Sequence, residues 1–241
     1  GGRSTLTVFS HPAFMELAAA NITMGSVRRD FAEWHRGRSP YVFWALDVDL
    51  PAVRAELARV VAGLGGLLLD DYLRQPHVTL DLCGFPQPRP TGDDEFGADM
   101  LEGQIARLSA AGLAPFEIVI GGLNSFLSAP YLEVHDPAKQ LATIRPALAE
   151  SGCNRLFGNY VPHCTVGLYG AEWPTSEVLA RFRNLSDGTA IRVQIDRVCL
   201  MSYEPAEIAG RLQILGDFWL NTRRVRWRPA FSKLGLGQVA T

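Results

Sequence analysis

The sequence has 241 residues, 47% of them hydrophobic, and a formal net charge of −2. That length is enough for one large domain with a sizeable core, and so small a charge excludes a protein that binds polyanions through its overall electrostatic field. No apolar run approaches the roughly 20 residues of a membrane span, and the N-terminus lacks a basic-then-apolar signal pattern. The four cysteines are scattered without a Cys-x-x-Cys pair, which favours reduced thiols in a cytoplasmic protein.

Residues 1–38 show no clear strand pattern and are expected to form a locally basic arm packed on the body, with short helices at 12–20 and 27–35. The first strong strand covers Tyr41 to Leu50, a stretch rich in aromatic and β-branched residues. A helix follows from Pro51 and ends in glycines. The remaining elements, in chain order, are predicted as strand 75–85, helix 95–111, strands 116–120 and 131–134, helix 137–151, strand 161–168, helix 176–182, strands 190–202 and 212–220, and a basic tail over 221–241.

This order has two similar halves, and each half contains one of two matching motifs. Both motifs, Pro76–Leu80 and Pro162–Val166, read Pro-His-apolar-Thr-apolar. Because side chains alternate across a strand, the histidine and threonine of each motif share a polar face, and the apolar residues share the opposite face. The four polar residues are His77, Thr79, His163 and Thr165. The sequence therefore predicts an α+β fold of two lobes, with a sheet in each lobe and a cleft between them.

Two facing histidines can act as an acid–base pair, since an imidazole pKa of about 6.5 allows proton transfer in both directions near neutral pH. One ring would deprotonate the attacking oxygen, and the other would protonate the leaving one. The threonine hydroxyls would donate to a non-bridging phosphate oxygen, which suits phosphoryl transfer and needs no metal. A two-histidine metal site with Asp81 as third ligand is the alternative, for which threonine is a poor ligand. Cys164 is expected to point into the core rather than act as a nucleophile.

The segments His77-Val78-Thr79-Leu80 and His163-Cys164-Thr165-Val166 resemble the two His-x-Thr/Ser-x motifs of the 2H phosphoesterase superfamily. That superfamily includes 2′-5′ RNA ligase-like proteins and RNA cyclic phosphodiesterases. The resemblance covers about residues 39–220, and it implies one domain there between the arm and the tail. It also implies a bilobal fold, in which two pseudo-symmetric lobes with mainly antiparallel sheets and flanking helices place the motifs opposite each other in a central cleft.

The resemblance further implies a metal-independent phosphodiesterase that hydrolyses 2′,3′-cyclic phosphate or 2′-5′ phosphodiester bonds of RNA or nucleotides, without a cofactor. His77 and His163 would be catalytic, and Thr79 and Thr165 would bind the phosphate. The expected partner is a nucleotide or an RNA end, and the protein is expected to be a monomer that binds no membrane. A 2′-5′ RNA ligase and a non-catalytic module that binds nucleotides or RNA ends are the alternatives. Which histidine is the base depends on the orientation of the substrate.

Recognition of a base usually needs an aromatic side chain on which it can stack. Tyr169 is favoured, because it continues the face of His163 and Thr165. Arg155, near the second motif, could approach the phosphate. The other candidates for stacking or substrate contacts are Phe126, Tyr131, Trp44 and Tyr203.

Overall fold

A computed structural model of the chain describes residues 17, 20–149, 160–185 and 187–239. Most of the helix predicted at 12–20 lies outside these ranges. The described residues form two sheets with accompanying helices, so the prediction of a two-lobed α+β fold is confirmed. No helix within them is long and apolar enough to cross a membrane.

The first sheet has six strands in the order β10-β9-β8-β1-β2-β3, and all its pairs are antiparallel except that of β2 with β3. The strands are β1 (Tyr41–Asp47), β2 (His77–Pro86), β3 (Glu95–Phe96), β8 (Arg197–Tyr203), β9 (Gln213–Trp219) and β10 (Arg224–Trp227). Strand β1 is central and buried along nearly its whole length, which accounts for its run of aromatic and aliphatic residues.

The second sheet has four antiparallel strands in the order β6-β5-β4-β7. The strands are β4 (Phe116–Ser125), β5 (Pro130–His135), β6 (His163–Thr165) and β7 (Ile191–Ile195). All four lie between β3 and β8 in the sequence, and the first and last residues of this stretch, Phe116 and Ile195, pair with each other. The second lobe is therefore an insertion into the first, and the chain enters and leaves it at neighbouring points.

The α-helices of the described ranges are α1 (Ala32–His35), α2 (Pro51–Gly63), α3 (Ala98–Ala110), α4 (Leu141–Ala149) and α5 (Thr175–Asn184). Helix α2 begins with its proline in the first turn, where the missing N–H leaves no hydrogen bond unmade. Helix α2 packs against α5, and α3 packs against α4. Helices are confirmed at the predicted places, but α1 covers only the last four residues of the predicted 27–35, and α4 begins at Leu141 rather than at 137.

Helix α4 belongs to the second lobe by sequence, yet it packs on the first. Gln104 of α3 donates from Nε2 to the carbonyl oxygen of Leu148, 3.1 Å away, near the end of α4. Arg145 of α4 donates from Nε to the Leu80 carbonyl oxygen of β2 at 3.1 Å. These contacts tie the inserted lobe to the first sheet at a third place besides its two chain connections.

Two predicted elements divide differently in the structure. The helix predicted over 95–111 begins at Ala98, because Glu95–Phe96 pair with the end of β2 as a short parallel strand. The strand predicted over 190–202 is interrupted at Asp196, and its two parts, β7 and β8, belong to different sheets. Hydrophobic alternation is the same in both parts, so it carries no information about this change of sheet.

The second sheet also departs from its predicted bounds. The strand predicted over 116–120 continues to Ser125 through a bulge, where Gly122 adopts a positive φ of 92°. The second-motif strand is shorter than the predicted 161–168, because only His163–Thr165 pair with β5.

The described part of the N-terminal arm runs across both lobes. In the second lobe, Ser26 donates its backbone N–H to the Tyr169 carbonyl oxygen at 2.7 Å. The Arg28 guanidinium donates to the carbonyl oxygens of Asp70 and Ile208, which lie in the segment before β2 and in the loop between β8 and β9. The arm therefore contacts the segments that frame the space between the sheets.

Residues 221–239 were predicted as part of a basic tail. They contain β10, which extends the first sheet, and a 3-10 helix at Pro229–Leu234. Arg228, which follows β10, donates from Nε to the Asp217 carboxylate of β9 at 2.7 Å. Arg197 of β8 donates from Nε to the same carboxylate at 2.9 Å. Asp217, only 2% exposed, is thus held between two arginines, and one of them comes from the predicted tail.

Candidate active site

The two histidine motifs meet in one cleft. Strand β2 carries His77 and Thr79, β6 carries His163 and Thr165, and the two strands contact each other. All four side chains line the same cleft. The residue between each histidine and threonine is fully buried, as strand alternation requires.

The same hydrogen bond anchors both imidazole rings. Nδ1 of His77 lies 2.9 Å from the Gln75 carbonyl oxygen, and Nδ1 of His163 lies 2.7 Å from the Val161 carbonyl oxygen. A carbonyl oxygen can only accept, so each Nδ1 carries a proton and donates it. In both halves of the protein, Nε2 is therefore the nitrogen that can exchange a proton with a ligand.

Aromatic rings pack against each imidazole. The centroids of Phe43 and His77 are 5.7 Å apart. On the other side of the cleft, the centroid of the His163 ring lies 4.9 Å from that of Phe126 and 5.5 Å from that of Tyr131. Both contacts are edge-to-face. Such contacts, added to the Nδ1 hydrogen bonds, restrict rotation of the rings.

Burial lowers the pKa of both imidazoles. Burial is the main reason that the pKa of His77 falls from 6.5 to about 4, and the positive charges of Arg74 and His163 lower this pKa further. The hydrogen bond to Gln75 has the opposite effect and raises it. Burial also lowers the pKa of His163, against the hydrogen bond to Val161. Both rings are therefore neutral at pH 7 until an anion binds. A phosphate beside them would favour the imidazolium form and raise both pKa values.

A tyrosine outside the motifs contacts one of the motif threonines. Tyr72 lines the cleft beside Thr165. Burial raises the pKa of its phenol to about 12, against an opposing effect of the Thr165 hydroxyl. The phenol is therefore neutral at pH 7 and keeps its O–H as a donor in the cleft.

Part of the cleft wall comes from segments that sequence reasoning did not connect with the motifs. Tyr72 and Arg74 precede β2, and Phe31 and Trp34 belong to the arm. Cζ of Arg74 lies 4.4 Å from the centroid of the Tyr203 ring. For Tyr72 and Arg74, the only signal in the sequence was that they lie close to the first motif. For Phe31 and Trp34, the sequence contained no signal that they would reach the cleft.

Two of the predicted stacking residues, Phe126 and Tyr203, line the cleft, but they are only 4% and 6% exposed and offer a base little surface. Tyr131 is 3% exposed and packs against the His163 ring, so it supports the histidine and presents little surface to a base.

Trp44 and Tyr169, also predicted as stacking residues, cannot contact a base because both are fully buried. Trp44 points toward α3, where its Nε1 donates to Gln104 Oε1 at 2.9 Å. The Tyr169 hydroxyl lies 2.6 Å from Ser125 Oγ in a hydrogen bond. Strand alternation had placed Tyr169 on the same face as His163 and Thr165. That prediction is wrong because the strand ends at Thr165, so the alternation does not extend to residue 169. Arg155 lies outside the described residues.

The described residues contain no group of three or more histidine, cysteine or carboxylate side chains that could hold a metal ion. Asp81, the third ligand of the alternative metal-site hypothesis, is 1% exposed and is not among the described residues that line the cleft. Cys164 is buried, which confirms it as a core residue, and burial raises the pKa of its thiol to about 12. A neutral thiol away from solvent is a poor nucleophile.

A known protein family has a sequence pattern that covers both motifs. The model of the 2'-5' RNA ligase superfamily matches residues 52–207, well over half of the chain. The chain belongs to the 2'-5' RNA ligase superfamily. The resemblance to the 2H phosphoesterases is thereby confirmed. Phe31 and Trp34 lie outside the residues that the superfamily model matches.

Several solved structures resemble the chain, among them the following two. E. coli LigT complexed with 3'-AMP superposes with a TM-score of 0.50 at 18% identity, covering 76% of this chain and 99% of that one. The protein TT0787 of Thermus thermophilus has a TM-score of 0.48 at 15% identity, covering 75% of this chain and 97% of that one. A comparison with curated proteins gives no match. The likeness to LigT supports the bilobal 2H phosphoesterase fold.

Proposed function

We propose that this protein is a metal-independent phosphodiesterase that hydrolyses 2′,3′-cyclic phosphate or 2′-5′ phosphodiester bonds of RNA or nucleotides. The observation that carries the proposal is the pair of histidines in one cleft, each with Nδ1 donating to a carbonyl oxygen, so that Nε2 is the nitrogen that can exchange a proton with a substrate. Membership of the superfamily supports the class of substrate. The complex of LigT with 3'-AMP is consistent with a ribose phosphate as ligand.

In the proposed reaction, one neutral imidazole accepts a proton from water as the water oxygen forms a bond to phosphorus. The bond from phosphorus to a ribose oxygen breaks on the opposite side, and the other histidine, as imidazolium, gives its proton to that oxygen. The hydroxyls of Thr79 and Thr165 donate to non-bridging oxygens, where negative charge is held in the transition state. Proton exchange with water then restores both rings.

A panel of substrates tests the proposal. The protein is incubated with the four 2′,3′-cyclic nucleotides and with 2′-5′ and 3′-5′ linked diadenylates. Mass spectrometry and phosphorus NMR identify the bond that breaks and the oxygen that keeps the phosphate. We expect turnover of cyclic or 2′-5′ substrates and none of the 3′-5′ linkage. If the folded protein binds these nucleotides and returns all of them unchanged, it is a binding module and the proposal is wrong.

The superfamily to which the chain belongs also favours a second candidate, a 2′-5′ RNA ligase. In that reaction the 5′-hydroxyl of one RNA takes the place of water, attacks a 2′,3′-cyclic phosphate, and displaces the 3′ oxygen. The same histidine pair serves both reactions. Water is far more concentrated than any RNA end, so hydrolysis prevails unless the second RNA is held in the cleft. Incubation of RNAs with 2′,3′-cyclic phosphate and 5′-hydroxyl ends, followed by electrophoresis, measures the two products together.

The pH dependence of hydrolysis should reflect the lowered imidazole pKa values. The ratio kcat/KM reports ionisations of the free enzyme. Burial lowers both pKa values from the ordinary imidazole value of 6.5, that of His77 to about 4, so the state with one ring protonated and the other neutral is populated mainly below pH 6.5. We expect a bell-shaped profile with its maximum below about pH 6.5. Activity falls at lower pH as the base is protonated, and at higher pH as the acid loses its proton.

The measurement is kcat/KM for a 2′,3′-cyclic nucleotide at constant ionic strength across this range and up to pH 9. A maximum above pH 7 would mean that groups other than these two buried histidines control the reaction.

A further inference from the structure

Arg74 carries the only positive side-chain charge, apart from any on the two histidines, among the described residues that line the cleft. The one carboxylate there is that of Glu207. Arg74 forms no ion pair with Glu207 or with any other carboxylate of the described residues. An arginine in this position gives the cleft a local attraction for anions that the net charge of −2 does not supply.

The guanidinium of Arg74 is held in place by Tyr203. Its Cζ lies 4.4 Å from the centroid of the tyrosine ring, in a cation–π contact. Burial raises the pKa of Tyr203 to about 12, so the tyrosine remains neutral and does not neutralise the arginine.

The backbone on both sides of Arg74 is fixed as well. Leu73 donates its N–H to the Ala209 carbonyl oxygen at 2.9 Å. The Gln75 side chain donates to the Leu212 carbonyl oxygen at 2.9 Å and accepts from the Leu212 N–H at 2.8 Å. These bonds join the segment before β2 to the loop between β8 and β9, so Arg74 occupies a defined position in the cleft wall.

One donor of this arginine lacks a partner. Nε of Arg74 is buried, and no described residue accepts a hydrogen bond from it. Buried donors are satisfied in nearly all folded proteins, because an unsatisfied one loses its hydration without compensation. A shift of the guanidinium toward a phosphate in the cleft would give this donor an acceptor oxygen, and the planar group matches the spacing of two phosphate oxygens.

We propose that Arg74 binds the substrate phosphate, donating hydrogen bonds to non-bridging oxygens of the phosphodiester between His77 and His163. The inference rests on the proposed function for the identity of that phosphate. The position of Arg74 supports this contact. Arg74 precedes His77 by three residues, and the charge of its guanidinium acts on the His77 imidazole. The guanidinium would complement the two threonine hydroxyls by neutralising the negative charge of the transition state.

Binding measurements without turnover test the contact. Calorimetric titration compares 3'-AMP with adenosine on the wild type, on Arg74→Ala and on Arg192→Ala. Arg192 is the matched control: it lies on β7, its side chain is 79% exposed, and it pairs with Glu117. We expect the affinity of Arg74→Ala for 3'-AMP to fall about 10- to 100-fold, with the affinity for adenosine unchanged. The control should bind both ligands as the wild type does.

Three results would overturn the inference. They are an equal loss of affinity for 3'-AMP and adenosine, an unchanged affinity for 3'-AMP, and a wild type that binds 3'-AMP no more tightly than adenosine. If thermal melting shows that Arg74→Ala is unfolded, Arg74→Lys is compared with Arg74→Gln. The lysine variant keeps the charge and should bind 3'-AMP more tightly than the glutamine variant, and equal affinities would also overturn the inference.

Turnover separates this inference from the proposed function. Arg74→Ala should lose at least about tenfold in kcat/KM for a 2′,3′-cyclic nucleotide, and added guanidinium ion, below unfolding concentrations, should restore part of it. If the protein hydrolyses nothing and yet needs Arg74 to bind 3'-AMP, the proposed hydrolysis is wrong and the phosphate contact stands. If Arg74→Ala hydrolyses its substrate at the wild-type rate, the function stands and the phosphate contact is wrong.

Discussion

Replacement of His77 or of His163 by alanine is expected to reduce kcat/KM for a hydrolysed cyclic nucleotide by about 10²–10⁴-fold in each case. Without one Nε2, the proton either cannot leave the attacking water or cannot reach the leaving oxygen. Because both rings act in one transition state, the double variant should lose much less than the product of the two single losses. Initial rates over a range of substrate concentrations measure all three variants.

His135→Ala is the matched control for these variants. This histidine ends β5, its side chain is 61% exposed, and it pairs at 3.6 Å with Glu133 rather than lining the cleft. It should keep wild-type activity. Circular dichroism and thermal melting show whether His77→Ala and His163→Ala remain folded. Near-wild-type turnover by both folded variants would rule out the two-histidine mechanism.

Asp217→Asn is expected to lower the free energy of unfolding by about 3 kcal/mol. The carboxylate is 3% exposed as a side chain and accepts hydrogen bonds from Arg197 and Arg228. Asparagine has a similar shape but no charge, so Arg228 would lose its carboxylate partner and Arg197 would keep only Asp47, 2.8 Å away, as a close one. Both arginines are partly exposed, 24% and 44%, and water therefore offsets some of the loss.

Denaturant unfolding of the wild type and the variant between pH 7 and pH 3 measures this contribution and its pH dependence. Burial alone would raise the pKa of Asp217, but the hydrogen bond and charge of Arg228, with the charge of Arg197, lower it overall. A lowered pKa stabilises the fold above the unfolded-state value of about 3.9, and the contribution is lost as pH falls through the folded-state value. The stability gap between wild type and Asp217→Asn should therefore narrow at low pH.

Asp196→Asn provides the comparison on the surface. Asp196 is 54% exposed and lies 3.8 Å from Arg197, so its removal should change the free energy of unfolding by no more than about 0.5 kcal/mol. If Asp217→Asn changes stability as little as Asp196→Asn, the buried arrangement of two arginines around Asp217 does not stabilise the first sheet.

The sequence was sufficient to predict the two lobes and the placement of both motifs. Each motif is a short strand, and alternation along a strand is a local property that needs no knowledge of the rest of the fold. The histidine and threonine of each copy therefore had to share a face. The repeat of the motif then indicated that the two faces belong to one site. Trp44 shows the limit of this reasoning, because alternation does not say which face of β1 a helix covers.

The rest of the cleft depends on contacts between distant parts of the chain. Arg74 and Tyr72 lie in a segment where Asp71 has a positive φ of 57°, so a regular strand pattern could not indicate where their side chains point. Phe31 and Trp34 reach the cleft because the arm crosses both lobes. Such placements follow from tertiary packing, which a local pattern in the sequence does not encode.

The insertion of the second lobe bears on how a ligand can enter. Its two connections lie side by side, since Phe116 pairs with Ile195, and alone they would form a hinge about which one histidine could swing away from the other. Helix α4 acts as a brace against that motion, because opening would break the hydrogen bond from Arg145 to β2. The two histidines are thus held in one cleft before a ligand arrives, and a ligand would have to enter without separation of the lobes.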